Sequence, residues 1–295
     1  MKNKKIFKVM LLFVLIFSVV MPYSTSYAAV SSTNFLMDTS KTYTYVAYKK
    51  NYKNEKVYRT VSFIGKKDKG DLWNIKSADY SSQLIYLQDT EGLKIGFRGS
   101  WFKELGFPLV KENSWDPGDG TKLRILSLNN TVKTQGGTFF NCVEVDSGTG
   151  ISHFAPNIGL VKFIGQAGDM YELVKIKDSH IGRILIKQKD VKLYNSKGKV
   201  HRALKKGEGL KVFKENKDSF DVGGGYYVKK GKDVLFYTGL VYSLDRQIDI
   251  YSPQGKVYKK VPIGSTIRIY GFEDGKYLVG GGYYINFDYH IQYDK

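Results

Sequence analysis

The chain has 295 residues, a formal net charge of +18 at pH 7 and one cysteine. That length is enough for two or three domains, each with its own core. The single cysteine excludes an intrachain disulfide and a cysteine-based zinc site. Because Cys142 lies within an apolar strand pattern, we expect a small buried thiol there.

Residues 1–28 have the form of a secretory signal peptide. Its basic residues are Lys2, Lys4, Lys5 and Lys8. An apolar run over 10–21 follows, and residues 26–28 place small side chains where a signal peptidase reads them. We predict cleavage after Ala28, which removes four lysines and no acid and so lowers the net charge from +18 to +14. An uncleaved membrane anchor is the alternative, but the apolar run is short for a span.

The predicted signal peptide implies export. The sequence has no cysteine near the cleavage site for lipid attachment, and its last residues contain no sortase-type motif. We therefore expect a mature chain without a membrane span that is extracellular or held non-covalently at the cell wall.

The mature sequence is typical of an all-β protein. Short stretches rich in Tyr, Val, Ile, Thr and Phe alternate with turn residues every eight to twelve positions. The clearest alternations are at 41–49, 57–65, 84–88, 123–128, 138–146 and 158–164. Residues 116–120 (DPGDG) predict a turn, since Pro117 fixes one corner and the glycines allow positive φ. A calcium loop is the alternative, but the alternating acidic ligands and terminal glutamate are missing.

A resemblance covers about residues 35–178. It is carried by TVKTQGGTFFNCVEV (131–145), HFAPNIGLVKF (153–163) and YELVKI (171–176), and FPLVKENSW (107–115) fits the part before them. These segments are similar to a module of secreted proteins and lipoproteins of Gram-positive bacteria of the Bacillus type. The resemblance implies a β-meander or partly open barrel in a cell-envelope setting, and it brings no catalytic residues.

The C-terminal region contains the same module twice. Residues 191–228 align without a gap with residues 248–285, 57 positions later, and 11 of the 38 positions are identical. Such internal similarity indicates two copies of one structural unit. The module resembles the bacterial SH3-like domains that secreted wall proteins carry in tandem. We expect a signal peptide (1–28), a β-rich domain (29–180) and two small SH3-like barrels (181–239 and 240–295).

Each copy predicts the same order of strands. A first strand and a Lys-Gly turn precede a second strand that reaches Gly207 or Gly264, and a third strand runs through LKVFK or IRIYG. Each copy then closes on three glycines and two tyrosines. The glycines allow the positive φ of a bulge or sharp corner. Strand side chains alternate, so we expect one tyrosine of each pair in the core and one outside. The tyrosines are Tyr226, Tyr227, Tyr283 and Tyr284.

Basic residues concentrate in the first copy. They are Lys197, Lys199, Arg202, Lys205, Lys206, Lys211 and Lys214. An outward tyrosine could stack on a sugar or peptide, and the basic residues would attract the phosphates of teichoic acid or the carboxylates of peptidoglycan at a salt-dependent affinity. The alternatives are that the tyrosines only pack and that the lysines only solubilise the surface. Nucleic acid is a weaker candidate, since the sequence contains no recognisable nucleic-acid-binding module.

The sequence gives little support to catalysis. The four histidines have no metal-ligand spacing. A Cys142–His153 nucleophile and base would lack an orienting third residue. We therefore predict a non-enzymatic wall-associated protein with no cofactor or metal site. Alternatives are an accessory factor or inhibitor of a wall hydrolase, a hydrolase, and a barrel that encloses a small apolar ligand. The aromatic residues of such a ligand barrel would be Trp73, Trp101, Trp115, Phe97 and Phe102.

Overall fold

The computed structural model describes residues 33–49, 55–78 and 81–295. The predicted signal peptide and its cleavage site therefore lie outside the described residues. The described chain is all-β, as the sequence predicts, and it forms 28 strands. The strands are β1 (Lys41–Lys49), β2 (Glu55–Lys67), β3 (Gly70–Lys76), β4 (Ser81–Asp89), β5 (Gly92–Phe97), β6 (Ser100–Gly106), β7 (Ser114–Trp115), β8 (Leu123–Thr134), β9 (Gly137–Asp146), β10 (Gly150–Ala155), β11 (Gly159–Gly165), β12 (Met170–Asp178), β13 (Gly182–Ile186), β14 (Lys192–Asn195), β15 (Val200–Ala203), β16 (Gly209–Val212), β17 (Lys214–Glu215), β18 (Ser219–Gly223), β19 (Tyr226–Lys229), β20 (Val234–Tyr237), β21 (Gly239–Tyr242), β22 (Ile248–Tyr251), β23 (Val257–Val261), β24 (Ile267–Ile269), β25 (Gly271–Glu273), β26 (Lys276–Gly280), β27 (Tyr283–Asn286) and β28 (Gln292–Asp294).

The described residues contain no helix with the length and hydropathy of a membrane span.

Strands β1 to β12 form one antiparallel sheet, which we call the N-terminal barrel. The sheet consists of two meanders, β1 to β6 and β7 to β12, joined where β1 pairs with β12. The two outer strands, β6 and β7, approach each other and nearly close the barrel. There Trp115 Nε1 donates to Lys103 O (2.8 Å), and Lys103 N donates to Pro117 O (2.8 Å). Near-closure protects the edges that an open twelve-stranded sheet would expose.

Apolar side chains fill the interior of the barrel in two clusters. Trp73 is fully buried in the first, with the rings of Tyr43 and Phe63 packed edge-on at 5.9 and 5.5 Å. Leu93 and Phe154 belong to the second. Burial of each such side chain stabilises the fold by roughly 1.5–3 kcal/mol.

The five aromatic residues of the hypothetical ligand barrel do not line one cavity. Trp73 and Trp115 pack against different clusters, and Trp101 lies on the outer surface with 38% of its area exposed. Phe97 packs against Tyr289, outside the barrel interior. The filled core counts against an enclosed apolar ligand.

Strands β13 to β20 form the first repeat unit, and β21 to β28 form the second. Each unit contains a three-stranded and a five-stranded antiparallel sheet. The predicted third strand is divided in both copies. In the first unit β16 pairs with β13, whereas β17 pairs with β18 in the other sheet, and Phe213 lies between them. Tyr270 lies at the same place in the second unit. This correction has a physical reason: a strand that turns a corner can contribute to two sheets packed on one core.

The three glycines adopt the conformation that the sequence predicts. In the first unit Gly223, Gly224 and Gly225 have φ of 84°, 63° and 78°. The register between β18 and β19 shifts at Gly223, and the register between β26 and β27 shifts at Gly280. Each glycine run therefore forms a bulged hairpin that delivers the following tyrosines to their positions.

The second repeat unit is docked on the N-terminal barrel. Two buried side chains of the barrel donate to backbone carbonyls at the C-terminal end: Gln83 Nε2 to Ile291 O (2.9 Å) and Asn74 Nδ2 to Tyr293 O (3.0 Å). Ile64 of the barrel packs into the core of the second unit. The Cβ position of Gly65 lies 2.6 Å from the Phe272 ring, so a larger side chain there would clash. The two bodies therefore share a close-packed interface.

Candidate ligand-binding face

A stacked pair of tyrosines lies on the five-stranded sheet of each repeat unit. Tyr194 of β14 stands directly opposite Tyr227 of β19, with ring centroids 5.3 Å apart and ring planes 17° apart. Tyr251 and Tyr284 form the equivalent pair in the second unit, at 5.6 Å and 17°. The residue beside each pair on β19 and β27 belongs to the core, so the stacked rings lie on the opposite, outward side.

A lysine lies over each stacked pair. Lys229 Nζ is 4.9 Å from the centroid of the Tyr194 ring, and Lys276 Nζ is 4.6 Å from that of Tyr284. Both distances are typical of a cation–π contact. The ammonium group keeps hydrogens that can be donated to an anion, since a ring face occupies only one side of it. We call these six residues the paired-tyrosine face: Tyr194, Tyr227 and Lys229 in the first unit, and Tyr251, Tyr284 and Lys276 in the second.

The two lysines do not occupy equivalent sequence positions. Lys229 is the cross-strand partner of Ser219 in the first unit, and Lys276 is the cross-strand partner of Asn286 in the second. The lysine has therefore changed strands between the copies while it remains over the aromatic pair. Each unit therefore has a lysine over one ring of its pair, but the rings are not equivalent: Tyr194 corresponds to Tyr251, and Tyr284 corresponds to Tyr227.

A second aromatic contact is also duplicated. His201 packs on Tyr226 with ring centroids 4.7 Å apart and an interplanar angle of 49°, and Tyr258 packs on Tyr283 at 4.6 Å and 52°. Tyr258 is 65% exposed. These rings flank the same strand ends from the other side of the sheet.

None of the four predicted tyrosines is fully buried. Tyr226 packs against the core cluster of its unit, and Tyr227 is on the outward face, so the two point to opposite sides as expected. All four are half-buried, so Tyr226 contacts the core of its unit without being enclosed by it. The next residues, Val228 and Ile285, occupy the core positions. Tyr226 and Tyr283 are the first residues of their strands, directly after the glycine hairpin.

The predicted basic residues of the first unit differ in their exposure and contacts. Lys197 and Lys199 are exposed on the turn between β14 and β15, whose Gly198 lies close to the Tyr227 hydroxyl. Arg202 forms a two-point ion pair with Glu208 (3.1 and 2.5 Å). This contact lowers the pKa of the Glu208 carboxyl.

The remaining basic residues are distributed over different surfaces. Lys205 and Lys206 are exposed on the next turn, and Lys214 is exposed on β17. Lys211 lines a cleft toward the N-terminal barrel. Lys197 and Lys199, on the turn beside Tyr227, are therefore the basic residues that can extend the paired-tyrosine face.

The sequence predictions omitted four members of this surface: Tyr194, Tyr251, Lys229 and Lys276. The two tyrosines could have been found, since Tyr194 and Tyr251 are identical in the aligned copies. The exposed Val200 and Val257, at 55% and 48%, are identical as well. Identity at an exposed apolar position is a signal that the core does not explain.

Cys142 and His153 do not have the features of a nucleophile and its base. The thiol is fully buried and Sγ contacts Phe139 O at 3.5 Å. Burial raises the pKa of the Cys142 thiol, whereas a reactive cysteine needs a lowered one. Burial also lowers the pKa of His153.

Asp116 accepts hydrogen bonds from Gly118 N and Gly120 N, so its carboxylate caps the predicted turn. Among the described residues no group of three or more acidic, histidine or cysteine side chains could hold a metal ion.

No family model and no curated protein matches this sequence. Similar solved structures include a candidate exported protein with a YmcC-like fold from Bacteroides fragilis, with 12% identity, 50% of this chain and all of that chain covered, and a TM-score of 0.33. A candidate lipoprotein from Parabacteroides distasonis gives 11% identity, the same coverage and a TM-score of 0.31. The CBD of the endolysin LysPBC5 gives 20% identity, 40% and 97% coverage, and a TM-score of 0.21. At these TM-scores the overlaps carry no argument about fold or function.

Proposed function

We propose that this protein is an exported, non-enzymatic binding protein of the Gram-positive cell envelope, and that its two SH3-like repeat units hold an anionic wall polymer. The duplicated paired-tyrosine face is the observation that carries this proposal. Each copy offers phenol rings and hydroxyls beside an ammonium group, which suits a ligand that is both hydroxylated and negatively charged. A polymer with repeating units can occupy both copies at once.

The basic charge supports an anionic ligand. Residues 191–240 carry 12 lysines and arginines against 5 acids. Exposed charges act mainly through long-range attraction that salt screens beyond about 10 Å at 0.1 M. We therefore expect binding to weaken steeply with added salt, while the aromatic contribution persists.

Sedimentation with purified cell walls tests the proposal directly. The whole mature chain is mixed with walls from which teichoic acid has or has not been extracted, and the bound fraction is measured across a salt series. The whole chain is used because the second repeat unit shares a buried interface with the N-terminal barrel. If the protein stays in the supernatant at low salt with both wall preparations, the proposal is wrong.

Tyrosine variants locate the binding face. Tyr227→Ala and Tyr284→Ala should each weaken binding about three- to tenfold, in line with aromatic contacts of about 0.5–1.5 kcal/mol. The double variant should lose more than either single variant, because binding through two linked sites is cooperative in effect. Phe140→Ala is the matched control, since Phe140 is an aromatic residue that is 64% exposed on the N-terminal barrel. Equal losses in the control and the tyrosine variants would exclude the paired-tyrosine face as the site.

A further inference from the structure

The N-terminal barrel and both repeat units meet around a cleft of about 420 Å³. The barrel contributes Thr60, Ser62 and Lys177, the first repeat unit contributes Lys211 and Phe213, and His180 lies on the segment between them. The C-terminal residue Lys295 completes the wall. Clefts between packed units are common places for small-molecule sites. We call this space the junction cleft.

The junction cleft contains two lysines, Lys177 and Lys211, that form no ion pair within the described residues. Its carboxylates Asp178 and Asp294 are each bound to a lysine, Lys41 at 2.7 Å and Lys76 at 2.9 Å. Lys177 and Lys211 also repel each other. After burial, Lys177 is the largest cause that lowers the pKa of Lys211, followed by Arg183.

His180 lines the same cleft. Its Nε2 is inaccessible to solvent, so a ligand in the cleft cannot contact that atom. Burial, with Lys211 as the next cause, lowers the pKa of His180 to about 4, so the ring is neutral at pH 7. The ring therefore adds no charge to the cleft, and its resonances report on a ligand held beside it.

Hydroxyl groups and aromatic rings form the rest of the wall. Thr60 and Ser62 lie on one face of β2, two residues apart. Phe213 packs near His180, with ring centroids 6.4 Å apart. Lys295 Nζ donates to Phe63 O and to Ser179 Oγ, each at 3.2 Å, so its ammonium group reaches only neutral oxygens. The surroundings fit a small molecule with one negative group and several hydroxyls.

We propose that the junction cleft binds a small hydroxylated anion, in which Lys177 and Lys211 hold a carboxylate or phosphate and the hydroxyls of Thr60 and Ser62 pair with its hydroxyls. This site lies apart from the paired-tyrosine face and does not depend on wall binding. Because three structural units contribute to it, occupation of the cleft would also fix their relative positions.

Histidine ring resonances of the isotope-labelled mature chain test the proposal. The probes are glycerol 3-phosphate and D-lactate at constant ionic strength, and glycerol is the uncharged control. His180→Gln assigns the His180 signal among the four histidines. We expect a saturable shift of that signal with at least one anion and none with glycerol. A response to glycerol 3-phosphate alone identifies the group as phosphate, and a response to D-lactate alone identifies it as carboxylate.

Lysine variants test the charge. Lys211→Gln and Lys177→Gln should each weaken the anion about tenfold, the effect of losing roughly 1.4 kcal/mol. Lys189→Gln is the matched control, since Lys189 is an exposed lysine of the same repeat unit outside the cleft. The melting temperature checks that each variant folds. The proposal is overturned if neither anion shifts His180, if glycerol binds equally well, or if the cleft variants behave as Lys189→Gln does. Tyr227→Ala should keep the full response, which separates this site from wall binding.

Discussion

Burial shifts the pKa values of Cys142, His180 and Lys295 toward their uncharged forms. Cys142 and His180 both belong to residue types that serve in catalysis, but burial raises the pKa of the Cys142 thiol and lowers that of His180 to about 4. Burial lowers the pKa of Lys295 to about 8. In each case the less charged form is favoured, as expected where water is excluded.

The lowered pKa of His180 makes stability depend on pH. The folded pKa of about 4 lies below the unfolded value of 6.5, so the unfolded state binds the proton first as the pH falls. This neutral histidine therefore reduces the free energy of unfolding as the pH drops from about 6.5, and the reduction is complete below about 4. The ring is partly exposed, so we expect a loss of about 1 kcal/mol rather than the full shift.

Urea denaturation at pH 7 and pH 4.5 measures this loss. His180→Gln should be less sensitive to the change in pH than the wild type. His201→Gln, at an exposed histidine of the same repeat unit, should retain the wild-type sensitivity. An identical pH response of all three proteins would show that His180 does not contribute.

At the scale of elements, corners and close approaches of the backbone shape the sheets. The division of the predicted third strand at Phe213 and Tyr270 lets one stretch of chain belong to two sheets. The apolar alternation is interrupted at the break, where Val212 adjoins Phe213 and Ile269 adjoins Tyr270, but an interruption alone does not show that the strand changes sheets. Only the packing of two sheets on one core determines where the strand changes partner.

A substitution of Gly92, the first residue of β5, tests such a close approach. It pairs with Gly106, has a φ of +146°, and its Cβ position lies 1.9 Å from Leu105 O. Gly92→Ala should therefore destabilise the protein by at least about 3 kcal/mol, because strain and a backbone clash add. Gly99 is the control: its φ is +87° and no atom lies within 4 Å of its Cβ position. Gly99→Ala should destabilise by about 1 kcal/mol. The free energies of unfolding are measured by chemical denaturation with tryptophan fluorescence as the signal. Equal losses in Gly92→Ala and Gly99→Ala would contradict the clash.

At the scale of the whole molecule, docking of the second repeat unit creates features that no single unit has. The interface is held partly by barrel side chains that donate to backbone carbonyls. The second unit also contributes Lys295 to the junction cleft, where Lys177 of the barrel and Lys211 of the first unit meet. The arrangement of the units therefore decides which lysines line the junction cleft.

Gln83→Leu tests the docking contact. Gln83 is 1% exposed, and its loss would leave Ile291 O buried without its donor. We expect the free energy of unfolding to fall by about 1–3 kcal/mol, and proteolysis near the second repeat unit to accelerate. Gln166→Leu is the control, because Gln166 Nε2 also donates to a carbonyl, Gly148 O, at an exposed position. That change should stay within about 0.5 kcal/mol. Equal effects would mean that the docking hydrogen bond contributes little.

The sequence by itself determined the all-β class, most strand positions and the duplicated module, because side-chain alternation, turn residues and a repeat of 57 positions are local properties. It also identified the tyrosines after the glycine hairpin. Only the tertiary structure decided which residues accompany them. Lys229 and Lys276 reach the tyrosine pairs of their units from different strands, and Lys211 lines the junction cleft. Strand pairing and docking join residues far apart in the chain, and no short-range pattern records that choice.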